Sequence, residues 1–324
     1  MSGSTRADAA AGSILAPGTH GGDAGAVARA LGVEPSALVD LSSSLNPFAP
    51  DVPALATGYL DALRAYPDPT VATVALAAAM GVDPDRLLLT NGGAEAIALV
   101  AHHLRRGSIV EPEFSLYRRH LEHVDAAAPR WRSNPGNPSG HLALPSDEAA
   151  VWDEAFYPLA TGCWSRGDQE SWRLGSLTKL WACAGLRLGY VLAPTAQAAR
   201  TLRRRQPEWS VNGLALALMA PLLERTDLDG WAVSIVASRH ELAAALRTGL
   251  ADAGCAGAIV HDTDVNWLLV ELPMPAVTAR SQLAHAGVLV RDATSFGLPT
   301  TIRVALPRPA DVERVVRSFA SLRP

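Results

Sequence analysis

Lysine is almost absent from this chain. Of its 28 lysine and arginine residues, 27 are arginine and one, Lys179, is lysine. Wherever positive charge alone is needed, arginine supplies it, so the exception points to work that arginine cannot do. A guanidinium stays protonated at neutral pH, whereas a lysine amine can lose its proton through burial or a neighbouring charge and attack a carbonyl. One lysine must still fall somewhere, so isolation alone decides nothing. Cysteine is scarce as well. Cys163, Cys183 and Cys255 are odd in number and lack metal-type spacing, which argues against a disulfide framework and predicts no metal site. No apolar run reaches the roughly 18 residues of a membrane-spanning helix. A net charge of −4, with Arg203–Arg205 as its only dense basic run, does not suggest a nucleic-acid surface. The N-terminus has no charged start followed by an apolar block, so a cytoplasmic protein is expected.

What is present is apolar and patterned. Apolar residues make up 48% and charged residues 19% of 324, enough for a large domain and a smaller one. "RLLLTNGGAEAIALVAHHLRR" reads as a short strand, a Gly-rich turn and an amphipathic helix. "GSIVEP", "AAVWDEAF", "SWRLGSL" and "LRLGYVLAP" read as further strands. This βαβ rhythm predicts an α/β fold with a mainly parallel sheet and chemistry at the strand C-termini. Beyond about residue 230, one long helix followed by "NWLLVEL", "GVLVRD" and "TIRVAL" predicts a smaller α+β unit. The expected division is 1–50 as an N-terminal arm that joins the small domain and covers the site, 51–230 as the large domain, and 231–324 as the small one.

Ser176, Leu177, Thr178 and Lys179 spell S-x-x-K, the signature of serine acyl-enzymes. That chemistry also needs S-D-N and K-T-G, and a chain with one lysine has no K-T-G. Two hydroxyls before the lysine and Arg187 after it instead suit a dianionic phosphate. Other segments carry matching chemistry. Gly92, Gly93 and Ala94 open a helix, where exposed N–H groups bind anions. "EPEFSLY" offers Phe114 and Tyr117 as ring-stacking aromatics, "NPGNPSG" holds Asn137, and "WDEAF" ends a strand with Asp153. "TTIRVAL" carries Arg303, able to grip a carboxylate bidentately. Any one of these has an ordinary structural explanation as turn, core ring, cap or ion pair.

Taken in order, the set resembles fold-type I pyridoxal-phosphate enzymes, the class I/II aminotransferase superfamily. The resemblance implies pyridoxal 5'-phosphate as cofactor, held by Lys179 as a Schiff base. It implies a phosphate grip of Gly92, Gly93, Ala94, Ser176, Thr178 and Arg187, with Tyr117 stacked on the ring. Asn137 would meet the ring oxygen and Asp153 the ring nitrogen, and Arg303 would hold the substrate carboxylate. It further implies a homodimer in which Tyr66 of "AYPDP" reaches the neighbour's phosphate. "HGGD", "LVDLSSSLNPFAP" and "RDATSFGLPTTIRVAL" are similar to the branch holding L-threonine-O-3-phosphate decarboxylases of cobalamin biosynthesis and histidinol-phosphate aminotransferases. There His20 and Asn46 are candidates for the substrate phosphate. Phe156 stands where the aminotransferases usually present tyrosine, leaving the ring-oxygen contact to Asn137. Decarboxylation is the expected activity, with transamination of the histidinol-phosphate type as one alternative and a cofactor-binding homologue without turnover as another. The stretch 118–152 is shorter than in relatives, which predicts a trimmed sheet edge. Lys179→Arg keeps the charge and is expected to abolish the visible absorbance band that forms on adding pyridoxal phosphate.

Overall fold

The computed structural model describes residues 20–167 and 170–323. Its contacts separate two units, one from Phe48 to Ile235 and one formed by the described residues up to Pro47 together with those from Val236 onward.

The larger unit is built on a sheet whose strands are β1 (Leu87–Asn91), β2 (Arg106–Gly107), β3 (His123–Val124), β4 (Trp131–Ser133), β5 (Val151–Asp153), β6 (Trp172–Gly175) and β7 (Leu188–Leu192). The hydrogen-bonded order β1-β7-β6-β5-β4 is extended by a single parallel bridge, Ser108 to Arg130, to the pair β2-β3. β4, β5 and β6 run parallel, while β7 is antiparallel to both β6 and β1. The sheet is therefore mainly parallel, as expected, and mixed only through β7. β7 leaves β6 after a link of twelve residues (176–187) and returns alongside it in the opposite sense. All of β1 except Asn91, and all of β6 and β7, is buried, as expected of strands covered on both faces.

Helix α1 (Gly92–Leu104) starts directly after β1, with no intervening turn. With α2 (Ser115–His120) and α4 (Ala196–Arg203) it covers one sheet face; α3 (Leu177–Leu180) follows β6. The core on that face joins Ile97 and Val100 of α1 and Tyr117 of α2 to Trp131, Val151, Leu174 and Val191 of the sheet.

The expected strand "GSIVEP" reduces to β2 and the Ser108 bridge, and β2 and β3 are two residues each. The links β3–β4 (125–130) and β4–β5 (134–150) contain no helix, although β4 and β5 are parallel neighbours, which are usually joined through one. Side chains take over part of its work. Trp152, facing away from the α1 side, is fully buried beneath the Arg166 guanidinium, 4.1 Å from the indole centroid, with Arg132 at 5.8 Å. Arg132 pairs with Asp147 at 2.9 Å, and Arg166 donates to the Asp147 carbonyl, so two arginines pin the loop over the tryptophan.

In the smaller unit, the antiparallel sheet has the order β10-β11-β9-β8: β8 (Ile259–His261), β9 (Trp267–Glu271), β10 (Arg291–Asp292) and β11 (Thr301–Ala305). "GVLVRD" is split at Val290. Val288–Leu289 pairs in parallel with Val39–Asp40, and Arg291–Asp292 joins β11. Helix α5 (Leu228–Asp252) contributes residues to both units. Among the described residues, no helix is long and apolar enough to cross a membrane, and no cluster of three potential metal ligands occurs. Trp152→Ala is expected to cost about 3–5 kcal/mol in urea unfolding, the usual penalty for emptying a tryptophan-sized core site.

Candidate active site

The C-terminal ends of β1, β4, β5 and β6 bring together Asn91, Ser133, Asp153 and Gly175, and the chain beyond each carries the candidate residues. At one end, α1 begins with Gly92 at φ 72°, a left-handed backbone that favours glycine. A Cβ on Gly189 of β7 would lie 2.6 Å from Gly92 C and 2.7 Å from Gly93 N, so strand and helix meet backbone to backbone. The Arg187 guanidinium lies against Gly92, and the Ser176 side chain lies beside Gly93. A helix N-terminus, a hydroxyl and a guanidinium thus form a cup that could hold a phosphate.

Thr178 does not belong to that cup. Its hydroxyl donates to the Leu188 carbonyl at 3.2 Å and accepts from the Leu188 N–H at 3.3 Å, and the residue is buried. It braces the start of β7 instead, and its two bonds leave no donor for an anion.

Lys179, on α3, is half-buried, with its ammonium 5.6 Å from the Phe156 ring centroid. Its charge also acts on Asp153. The Asp153 carboxylate is enclosed by protein, and this burial pushes its proton affinity up. The opposing influences are the Tyr117 hydroxyl, donating at 2.8 Å, the Ala155 N–H at 3.1 Å and the Lys179 charge. An enclosed carboxylate in this state is suited to a cationic ring nitrogen.

Tyr117 corrects an expectation. It is fully buried, its ring 5.7 Å from that of Trp131 and edge-on to Phe114 at 5.9 Å, and its hydroxyl is spent on Asp153. A ring with no accessible face cannot stack on a cofactor. Burial and the Asp153 and Glu113 charges raise its phenol well above the ordinary range. Phe114, one turn earlier, keeps part of its surface. Asn137 is half-buried, and its N–H donates to the Ser133 hydroxyl at 2.9 Å.

The remaining candidates fall elsewhere. Tyr66 is 79% exposed and rests on the Trp209 ring, 4.6 Å between centroids. In the smaller unit, His20 is exposed. The glycines after it are seated on Ser42, whose hydroxyl accepts from Gly22 N–H at 3.0 Å. Asn46 is buried one residue beyond Leu45, whose carbonyl the Asn266 amide holds at 3.0 Å. Arg303 lies 4.8 Å from the Trp267 ring, and burial, reinforced by the charge of Arg291, pushes it down to about 9. Arg291 is its direct cross-strand partner and is likewise buried. Arg291 also faces the charges of Asp292 and Asp23 and donates to the Ser295 hydroxyl at 2.8 Å, and the two enclosed guanidiniums are a candidate pair for an anionic substrate. Arg291 is not among the sequence candidates; its only local signal is "RDATSFG", and the strand pairing places it beside "TIRVAL".

A family model described as aminotransferase class I and II matches residues 149–319, just over half of the chain. The chain belongs to the aminotransferase class I and II family. The matched stretch contains Asp153, Ser176, Lys179, Arg187, Arg291 and Arg303, and the helix-poor segment precedes it. Threonine-phosphate decarboxylase of Salmonella typhimurium is 28% identical over 354 aligned positions, covering 94% of this chain and 96% of that protein. Histidinol-phosphate aminotransferase 2 of Methylococcus capsulatus is also 28% identical, over 88% of this chain and 89% of that one. A decarboxylase structure from Sulfurospirillum multivorans shares the fold, with a TM-score of 0.77 at 19% identity, covering 96% and 95% of the two chains.

As a family member the chain is a pyridoxal-phosphate-dependent enzyme. Its residues fit the cofactor on their own terms: a backbone cradle that a Cβ would fill, a guanidinium over it, a lysine and an enclosed carboxylate. Gly189→Ala should force β7 away from the start of α1, where only backbone atoms are in the way. Overpacking of about 1–3 kcal/mol should weaken pyridoxal-phosphate binding roughly tenfold or more in a fluorescence titration. Gly185→Ala meets nothing within 4 Å and should leave binding unchanged.

Proposed function

We propose that this enzyme decarboxylates L-threonine O-3-phosphate, or a close phosphorylated amino acid, in cobalamin biosynthesis. The observation that carries the reading is the buried cross-strand pair Arg291 and Arg303. Two guanidiniums suit a substrate that bears both a carboxylate and a phosphate, each taken bidentately. The similarity to threonine-phosphate decarboxylase over nearly the whole chain supports it.

Pyridoxal phosphate, when bound, supplies an electron sink for the bond broken at Cα. The α1 N-terminus, Ser176 and Arg187 would hold its phosphate, Asn137 its ring oxygen and Asp153 its ring nitrogen. Phe114, rather than the enclosed Tyr117, would face the ring. Lys179 would hold the aldehyde carbon and is the candidate to return a proton to the substrate Cα. Arg303 and Arg291 would bind the substrate's anionic groups, with His20 and Asn46 as further candidates for its phosphate. Tyr66, Leu60, Leu63, Val71 and Val74 are exposed apolar residues of one chain segment. A homodimer would cover them, with Tyr66 serving the partner.

The second reading, transamination of the histidinol-phosphate type, rests on relatives of equal identity. Assaying carbon dioxide release against keto-acid formation separates the two. L-threonine O-3-phosphate should yield carbon dioxide with no glutamate–oxoglutarate exchange, and rapid exchange would refute the decarboxylase. Arg303→Ala should lower kcat/KM about 10²- to 10³-fold, the loss expected when one partner of an enclosed charge pair is removed.

A further inference from the structure

A second carboxylate lies beside Asp153, and the functions described so far give it no task. Glu113, in the turn leading into α2, is buried, with 8% of its surface exposed. Its carboxylate accepts from the Ser133 N–H at 3.1 Å and bonds the Ser133 hydroxyl. That hydroxyl accepts from Asn137 N–H at 2.9 Å and also contacts the hydroxyl of Tyr117, which donates to Asp153 at 2.8 Å. Ser133 and Asp153 are register partners on β4 and β5. Glu113, Ser133, Tyr117 and Asp153 thus form one enclosed chain of polar groups with a carboxylate at each end.

Such a chain accommodates one proton in two ways. With the proton on Glu113, Glu113 donates to Ser133, Ser133 to Tyr117, and Tyr117 to an anionic Asp153. With it on Asp153, every bond reverses and Glu113 is the anion. No atom is lost or gained between the two arrangements. Both ends also receive backbone donors, Ser133 N–H and Phe114 N–H at Glu113 and Ala155 N–H at Asp153. Lys179 acts on the Asp153 end only. The other charges nearby are Glu111, which accepts the Glu113 N–H, and Arg118, which pairs with Glu111 at 3.0 Å.

We propose that Glu113 is a positioning residue that holds the shared proton, leaving the negative charge on Asp153, where the cofactor's ring nitrogen needs it. Burial, with a smaller contribution from the Asp153 charge, pushes Glu113 up to about 7, so it is poised to keep a proton that an ordinary carboxyl would have lost. The same network fixes Asn137 through Ser133, so one carboxylate steadies both polar contacts assigned to the ring.

The inference rests on the cofactor reading, and the test separates the two. Infrared difference spectra of the apoprotein should show a protonated carboxyl band that titrates near pH 7 and is missing in Glu113→Gln. Native Glu113 binds its proton more tightly than the unfolded chain, whose carboxyl has the ordinary value of 4.5. Apoprotein stability should therefore fall as pH rises from about 4.5 to about 7 and level off above, and Glu113→Gln should flatten that interval. In the pyridoxal-phosphate-loaded protein, the visible spectrum should show a pH step that follows the ionisation of Glu113. The step should be absent in Glu113→Gln and displaced in Ser133→Ala. A carboxyl band surviving in Glu113→Gln, or identical spectral pH profiles in all three proteins, would overturn the proposal. If the apoprotein titrates as expected but no visible band forms with pyridoxal phosphate, the assignment of the pair to the cofactor fails and the carboxylate pair stands.

Discussion

The contact between β7 and the start of α1 sets the rest of the site. Gly189 meets Gly92 and Gly93 with no side chain between them, so the helix N-terminus sits directly over the end of the sheet. That closeness leaves room for Ser176 and Arg187 to converge on the same N–H groups. Thr178 serves the arrangement from behind, by holding Leu188 through both bonds of its hydroxyl. An anion site made of backbone donors can be no more accurate than the packing that orients them. Here the packing is glycine on glycine.

Both units bury charged groups whose proton affinities the fold shifts. In the larger one, Asp153 and Glu113 are enclosed carboxylates whose proton affinities burial raises. In the smaller one, burial lowers those of Arg291 and Arg303, against the charges of Asp292 and Asp23 at Arg291. Desolvated charge costs stability unless it is matched. A cationic ring nitrogen would add to what already surrounds the first pair, and an anionic substrate to what surrounds the second.

Much of this chemistry was legible in the sequence because it depends on residue type. Lysine against a background of arginine, two glycines opening a helix and an aspartate closing a strand each announce a function that few other residues perform. Which neighbour uses a position was harder to read. Phe114 and Tyr117 are both aromatic and one turn apart, and only the packing of α2 on Trp131 shows that Tyr117 is the enclosed one. Ser176 and Thr178 carry the same hydroxyl, yet the short α3 turns one toward Gly93 and the other toward Leu188. Arg291 and Glu113 acquire meaning only from partners across a strand pair or on another segment, Arg303 and Ser133. The short links before β5 are legible as segment length, but what packs on Trp152 in their place is not. A tryptophan capped by two arginines has no local signature, since Arg132, Trp152 and Arg166 meet through the sheet and a loop.

The central claim is that the glycine cup and Lys179 together are built for a phosphate-bearing aldehyde. Titrating the apoprotein with pyridoxal 5'-phosphate and, in parallel, with pyridoxal, which lacks the phosphate, tests it most directly. The account predicts that the visible band saturates at a concentration at least about a hundredfold lower for the phosphorylated compound, as removal of a charge-assisted phosphate contact implies. Equal affinity for the two, or no band with either, would contradict it.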